Sequence, residues 1–277
     1  MAFEVIEESR DLGQPYELYL FKYGSDSTAA YGYTDGSVSK THLGVAFKPL
    51  PIKRGTIVAN QGLDKTTLQV RMPRDAEVPA LYTVQAPSYV VSLTIFQGHH
   101  NDPDNELKVV WTGRVQSVQR TGSLATVSCT PASASMKRVG LRYNYQHPCQ
   151  HPLYGEQCGA NKLAATVTAN AVEIGEDFIR LPVDWFGALP EDKFVYGIAE
   201  WQTSDNIEYR SILEVTSGGV LRLTNKARGL VPGMPVKVSL GCNHQVTDCK
   251  NLHSNLQNYG GMPYIPLKNP INKNNHH

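Results

Sequence analysis

Val90-Val91-Ser92-Leu93-Thr94-Ile95-Phe96 decides the fold. The run is rich in β-branched residues, ends in an aromatic, and is the strongest strand pattern of the first half. A polar loop, Gly98 to Glu106, separates it from Leu107-Lys108-Val109-Val110-Trp111, so the two runs are expected to face each other. Working downstream, Gly113-Arg114-Val115-Gln116-Ser117-Val118 and Leu124-Ala125-Thr126-Val127-Ser128-Cys129 extend this into a meander. Upstream, Thr66-Thr67-Leu68-Gln69-Val70-Arg71-Met72 alternates and stops at Pro73. Val45-Ala46-Phe47-Lys48 leads into a stretch punctuated by Pro49 and Pro51, and Tyr31-Gly32-Tyr33-Thr34 runs into the turn signal Asp35-Gly36. Pro15-Tyr16-Glu17-Leu18-Tyr19-Leu20-Phe21 alternates only in part. Strands this closely spaced, with no amphipathic helix between them, predict an antiparallel barrel or sandwich.

Residues Thr130 to Arg142, rich in Ser, Ala and Pro, read as a linker. Strand patterns then resume at Thr166–Ala169, Phe178–Leu181, Phe194–Trp201, Tyr209–Val215, Val220–Thr224 and Val236–Leu240. Thr216-Ser217-Gly218-Gly219 reads as a hairpin loop and Pro232-Gly233 as a turn. A single helix is expected at Cys249 to Gln257, capped by Thr247-Asp248 and stopped by Asn258-Tyr259-Gly260-Gly261. The expected fold is therefore mostly β: tandem antiparallel barrel or sandwich domains over residues 1–135 and 136–277, the second a small β domain with a short helix that holds a metal cluster. There is no internal repeat, and the one biased segment is Asn272 to His277.

Composition narrows the function classes. A chain of 277 residues suggests about two domains, and 41% hydrophobic with 18% charged residues is ordinary for a folded protein. A net charge of +1 supplies no field to recruit nucleic acid or an anionic membrane. The acidic N-terminus lacks the apolar run of a signal peptide, and no stretch approaches the ~20 apolar residues of a membrane helix. Assembly in a reducing cytoplasm is the expectation, where thiols stay free or bind metals. No phosphate-binding loop, dinucleotide fingerprint, zinc-protease motif or basic-aromatic stripe is present, so neither a nucleotide-dependent enzyme nor sequence-specific nucleic-acid recognition is indicated.

The chemistry-bearing residues are cysteines. Of five, four form two close pairs, Cys149 with Cys158 and Cys242 with Cys249. The first pair encloses a Pro- and Gly-containing loop; Cys242 is expected at a strand end and Cys249 at a helix start, where free N–H groups and the helix dipole favour thiolates. Zinc fingers space paired ligands by two to four residues, whereas the gaps here are eight and six. Those gaps suit a bulkier [4Fe–4S] centre better than one tetrahedral ion. Four other readings stay open on the residues: free buried thiols, two disulfides, zinc with mixed ligands from the neighbouring His147, His151 and His244, and a cysteine hydrolase pairing Cys158 with His244. Cys129 reads as a small core residue. His99-His100-Asn101-Asp102 resembles a metal loop but suits a polar hairpin tip better.

The run Gly241-Cys242-Asn243-His244, Asp248-Cys249-Lys250, Asn255 and Asn258-Tyr259-Gly260-Gly261-Met262-Pro263-Tyr264-Ile265-Pro266, with the Cys149–Cys158 stretch upstream, resembles the C-terminal signature of the tail-tip or baseplate hub proteins of long-tailed phages and gene transfer agents. The resemblance is specific over Gln146–Pro266 and architectural before it. It implies a non-enzymatic virion protein at the tail tip, assembled in the host cytoplasm. It further implies a homotrimer that joins the tail tube and the distal tail protein ring to the central fibre and lies near the tape measure protein. It implies tube-like β-barrels in the first half, and a [4Fe–4S] cluster held by Cys149, Cys158, Cys242 and Cys249. Tyr259 and Tyr264 are expected to cover that cluster. The rivals are a zinc-stapled β interaction domain and a cysteine-dependent cell-wall enzyme.

Overall fold

The computed structural model describes residues 2–9, 11, 13–24, 29–57, 67–83, 86–137, 140, 143–204 and 206–266. The Asn272–His277 tail, the start of the Thr66 run and the end of the Thr130–Arg142 stretch lie outside them. The chain divides into two compact units: residues 1–138 with 204–207, and residues 139–203 with 208–277.

The first unit contains α1 (Ala2–Glu8), β1 (Pro15–Tyr23), β2 (Ala29–Thr34), β3 (Lys40–His42), β4 (Val45–Pro49), β5 (Lys53–Arg54), β6 (Leu68–Pro73), α2 (Glu77–Leu81), β7 (Ser92–His99), β8 (Lys108–Thr121) and β9 (Leu124–Pro131). The nine strands form one sheet in the order β3-β4-β2-β1-β7-β8-β9-β6-β5. The Val90–Phe96 run, strand from Ser92, thus lies mid-sheet. Leu93 pairs with Phe21 on one side and with Gly113 on the other. Every pairing is antiparallel except β2 with β4. Tyr19, Phe21, Val70, Met72, Leu93, Ile95, Val127 and Cys129 share one core, while Tyr16, Leu18, Leu20, Phe47 and Phe96 form a second cluster. Both faces of β1 are therefore covered, which is why its sequence alternates poorly.

Several expectations change. The runs on either side of Gly113 are one 14-residue strand, β8, and not two. A Cβ at Gly113 would collide with the Trp111 ring and the Thr130 carbonyl, so this glycine permits close packing and marks no turn. The first part of the expected linker forms a 3₁₀ helix, Ala132–Lys137. Helix α1 went unread because it has no capping signal; Phe3 and Ile6, three apart, bury its one apolar face. Phe3 meets His99 edge-on at 5.0 Å, and Glu7 reaches His99 Nε2 at 2.5 Å. The hairpin-tip reading of His99–Asp102 holds: the Asp102 carboxylate accepts the N–H groups of Asp104 and Glu106, and His100 lies 4.7 Å from the Tyr16 ring.

The second unit contains β10 (Thr166–Asn170), β11 (Glu173–Ile174), β12 (Phe178–Arg180), β13 (Ile198–Gln202), β14 (Ile207–Thr216), β15 (Val220–Leu223), β16 (Pro235–Ser239) and α3 (Val246–Asn251). Strand order is β10-β16-β13-β14-β15-β12-β11. Ile179, Trp201, Ile212, Leu221, Val236 and Val238 build its core. Gly218 and Gly219 take φ of 88° and 77° in the β14–β15 hairpin, as their positions require. The expected Phe194–Trp201 strand begins only at Ile198, because Phe194 closes a 3₁₀ turn and Tyr196 sits at φ 63°.

Strand β14 is inverted: Ile207, Tyr209 and Leu213 are exposed, whereas Glu208 and Arg210 point inward. The pair meets at 3.2 Å with side chains 3% and 6% exposed, and the guanidinium lies 5.8 Å from the Trp201 ring. A charge left alone there has no water to solvate it. Arg210→Leu alone is expected to cost about 3–5 kcal/mol, and Arg210→Leu with Glu208→Leu distinctly less. Urea unfolding of the two variants checks the order.

Candidate metal centre

The four paired cysteines converge within the second unit. Between Cys149 and Cys158 the loop closes through Gly155 N–H to Pro152 O (3.0 Å) and Gly159 N–H to Gly155 O (2.9 Å). Tyr154 adopts φ 59°, and its hydroxyl donates to Leu240 O at 2.7 Å, fixing the loop to the chain just beyond β16. Cys149 N–H donates to His244 O at 2.8 Å, tying the loop to the segment that carries Cys242.

Cys242 lies three residues past the end of β16, in irregular chain. Cys249 is the fourth residue of α3, not its first. The helix is shorter than expected and starts earlier, since Leu252–Asn255 turn away before a separate 3₁₀ turn at Leu256–Asn258. Asp248 does not cap α3; its carboxylate accepts Asn243 N–H at 3.2 Å. Cys249 N–H is used by Gln245 O (3.2 Å). Cys249 N–H is therefore not free as expected, and the donors to sulfur come from elsewhere.

All four sulfur-bearing residues line one partly open cavity of about 20 Å³, together with His151, His244, His253, Asn255, Asn258 and Tyr259. His244 N–H donates to Cys242 Sγ and Gly260 N–H to Cys149 Sγ, both at 3.3 Å. Asn255 Nδ2 lies 3.8 Å from Cys158 Sγ, and Cys249 Sγ donates to Asn255 O at 3.2 Å. The segment 255–262 runs along the cysteine loop: Asn258 O meets His151 Nδ1 (3.0 Å), Tyr259 donates to His147 O (2.8 Å), and Met262 N–H to Gln146 O (3.0 Å).

Charge sets the chemistry of this cavity. Burial pushes the Cys249 thiol up to about 11, and ionised Cys149, Cys242 and Cys158 would push it further in the same direction. Burial also raises Cys242, an effect the His244 N–H opposes and Asp248 reinforces. Four sulfurs sharing one pocket cannot all ionise unless positive charge enters with them. Two N–H groups, those of His244 and Gly260, are directed at sulfur in this cavity.

All five cysteines are free thiols. Among the described residues no group of three or more His, Cys, Asp or Glu side chains is arranged to hold a metal ion. His147 faces the site through its carbonyl. His151 and His244 line the cavity, and His253, which the sequence reading missed, is held by Gly241 O at 2.8 Å. Asn255, quoted only as part of a signature, is the other residue whose role was not foreseen. Tyr259 lines the cavity as expected, but Tyr264 is 97% exposed and covers nothing. Cys129 belongs to the first unit's core, where burial pushes its thiol up to about 12. It is expected to stay unmodified by iodoacetamide at pH 8 in native protein and to react only on unfolding, as peptide mass spectrometry will show.

Residues 192–269 match a family described as phage conserved hypothetical protein BR0599. That span includes Cys242 and Cys249 but neither Cys149 nor Cys158. No curated protein matches the chain in sequence. A chain in the solved virion of a native gene transfer agent particle has a similar fold: 17% identity, TM-score 0.76, with 97% of this chain and 95% of that chain covered. No helix among the described residues is long and apolar enough to cross a membrane.

Proposed function

We propose that this chain is a structural, non-enzymatic virion protein of a tailed phage or related particle, and that its second unit is stapled by a [4Fe–4S] cluster on Cys149, Cys158, Cys242 and Cys249. The observation that carries the reading is the convergence of four thiols from separate chain segments on one cavity. Fold likeness to a virion chain along nearly the whole length supports the virion part. A tail-tip or baseplate hub is the specific role we infer: a homotrimer joining the tube and distal tail ring to the central fibre, beside the tape measure protein. That role follows the Gln146–Pro266 signature.

The spacing of the pairs is the reason for preferring a cluster to zinc: gaps of eight and six residues exceed the two to four usual between paired zinc ligands. A bound cluster would supply iron–thiolate cross-links and no turnover. The chain's own part is to present the thiols, aim the N–H groups of His244 and Gly260 at two of them, and limit water through Tyr259. A hydrolase reading is not favoured: the hydrogen bonds described give Cys158 Sγ an asparagine amide as its partner.

Iron and acid-labile sulfide analysis of protein purified without oxygen tests the proposal. Equimolar iron and sulfide with broad visible absorption support it, whereas one zinc per colourless chain favours the zinc-stapled domain. A metal-free, fully folded protein would leave a plain β interaction domain. Binding must also depend on acid. Ligand thiols whose ionisation burial opposes give up protons on loading, so affinity falls as pH is lowered from about 8 to 6. Cobalt(II) titration followed by its thiolate absorption at several pH values reads this, and pH-independent binding would contradict it.

A further inference from the structure

The residue that joins the two cysteine pairs is not a cysteine. Asn255 is 6% exposed, unusual for an asparagine, and it contacts one thiol from each pair. Its Nδ2 donates to Cys158 O at 2.5 Å and reaches Cys158 Sγ at 3.8 Å. Two amide hydrogens allow both contacts at once. Its main chain takes the other pair: Asn255 N–H donates to Cys249 O at 2.9 Å, and Asn255 O accepts from Cys249 Sγ at 3.2 Å. The remaining acceptor, Oδ1, receives Asn258 Nδ2 at 2.7 Å. Asn258 in turn lies against Gly159, where a Cβ would stand 3.1 Å from its amide nitrogen. Each polar group of Asn255 is thus committed, and each commitment leads to a cysteine or to its neighbour. The four contacts span 97 residues of sequence between Cys158 and Asn255 but only six between Cys249 and Asn255. No other residue in the cavity contacts a sulfur of both pairs among the hydrogen bonds described.

We infer that Asn255 is a positioning residue: its carboxamide sets the place of Cys158 Sγ relative to Cys249 Sγ and supplies that sulfur with an N–H donor. The inference deepens the cluster reading and rests on it for the loaded protein. A buried carboxamide is suited to this, since it fixes two partners in a plane at no charge, whereas a carboxylate of equal size would face Cys158 O and Sγ with acceptors alone.

The test uses the full chain in two states and two variants. Asn255→Ala removes the side chain; Asn255→Asp keeps its volume and the Oδ contact to Asn258 but deletes the donors. In reduced, metal-free protein, iodoacetamide labelling of each cysteine is followed by peptide mass spectrometry. Cys158 labelling should accelerate in Asn255→Ala, which uncovers the sulfur, and slow about tenfold in Asn255→Asp, where the thiolate loses an N–H donor and faces a carboxylate, with Cys149 unchanged because Gly260 serves it. In loaded protein, the midpoint potential of Asn255→Asp should fall below that of the parent, since a sulfur loses an N–H donor and gains a nearby negative charge. A purely structural asparagine would lower the melting temperature of both variants while leaving the potential and the Cys158-to-Cys149 labelling ratio as they are; that result overturns the inference. Should the chain take up no iron, the labelling arm still decides the clasp. A loaded chain with parental labelling and potential would retain the cluster and discard the role of Asn255.

Discussion

Serine in place of any one of Cys149, Cys158, Cys242 or Cys249 is expected to empty the site and to melt the second unit well before the first. Each thiol lies on a different stretch: Cys149 and Cys158 at the two ends of a loop that has no strand of its own, Cys242 on the chain after β16, and Cys249 in the helix α3. A centre that bonds all four turns binding energy into folding energy. Loss of a metal belongs to the few single changes that cost more than about 4 kcal/mol. For a unit of this size that corresponds to a fall of about 10–15 °C in its melting transition. Calorimetry of iron-loaded protein should resolve two transitions, with only one moved by the substitutions. Unmoved transitions and retained iron in all four variants would refute the staple. The matching control is Cys129→Ser, which should lower the other transition and leave iron content intact, because Cys129, a β9 residue paired with Leu68 of β6, lies in the first unit's core.

Gly241→Ala is expected to be as damaging, although it removes nothing. A Cβ at Gly241 would drive into the Val195 carbonyl and the Gly197 amide, both backbone atoms that cannot rotate away. Gly197 is hemmed in likewise, by Ser239 O and Phe194 O. The two glycines let the turn before β13 and the chain leaving β16 touch backbone to backbone, and Gly241 N–H bonds Lys193 O at 2.8 Å. Prising them apart is expected to cost more than about 3 kcal/mol, at the upper end of overpacking effects. It should also shift Cys242, the next residue, so iron content should fall along with stability. Gly122→Asn is the contrast: at φ 61° with open space around it, asparagine is tolerated for under about 1 kcal/mol. Equal stability of the two variants by urea unfolding would show that the close approach at Gly241 is not what holds this corner.

Much of the architecture was legible from local pattern. Alternation in the Thr66–Met72 run reports one buried face, and its described part is strand from Leu68 with Val70 and Met72 inside; the Val90–Phe96 run is strand from Ser92, with Leu93 and Ile95 in one core cluster and Phe96 in another. Paired glycines at 218 and 219 announced their hairpin, because positive φ is available to few other residues. Legibility failed where context reverses the rule. The two runs read around Gly113 are one strand, in which this glycine seats the Trp111 ring; β14 carries its charges inward, where Glu208 and Arg210 neutralise each other; α1 is one short apolar edge that only β7 makes into a helix worth forming.

At the candidate site, the sequence alone determined which atoms are soft donors and that they come in two pairs, since residue type and spacing are properties of the chain. Only the tertiary structure decided that both pairs open into one cavity, that Cys249 lies inside a helix turn rather than at its start, that Tyr264 stands in solvent, and that Asn255 bridges the pairs. The reason is physical. Periodicity reports what a residue does to its neighbours along the chain, whereas the approach of Cys158 to Asn255 depends on how two distant loops settle on the end of β16, and no local preference encodes that distance.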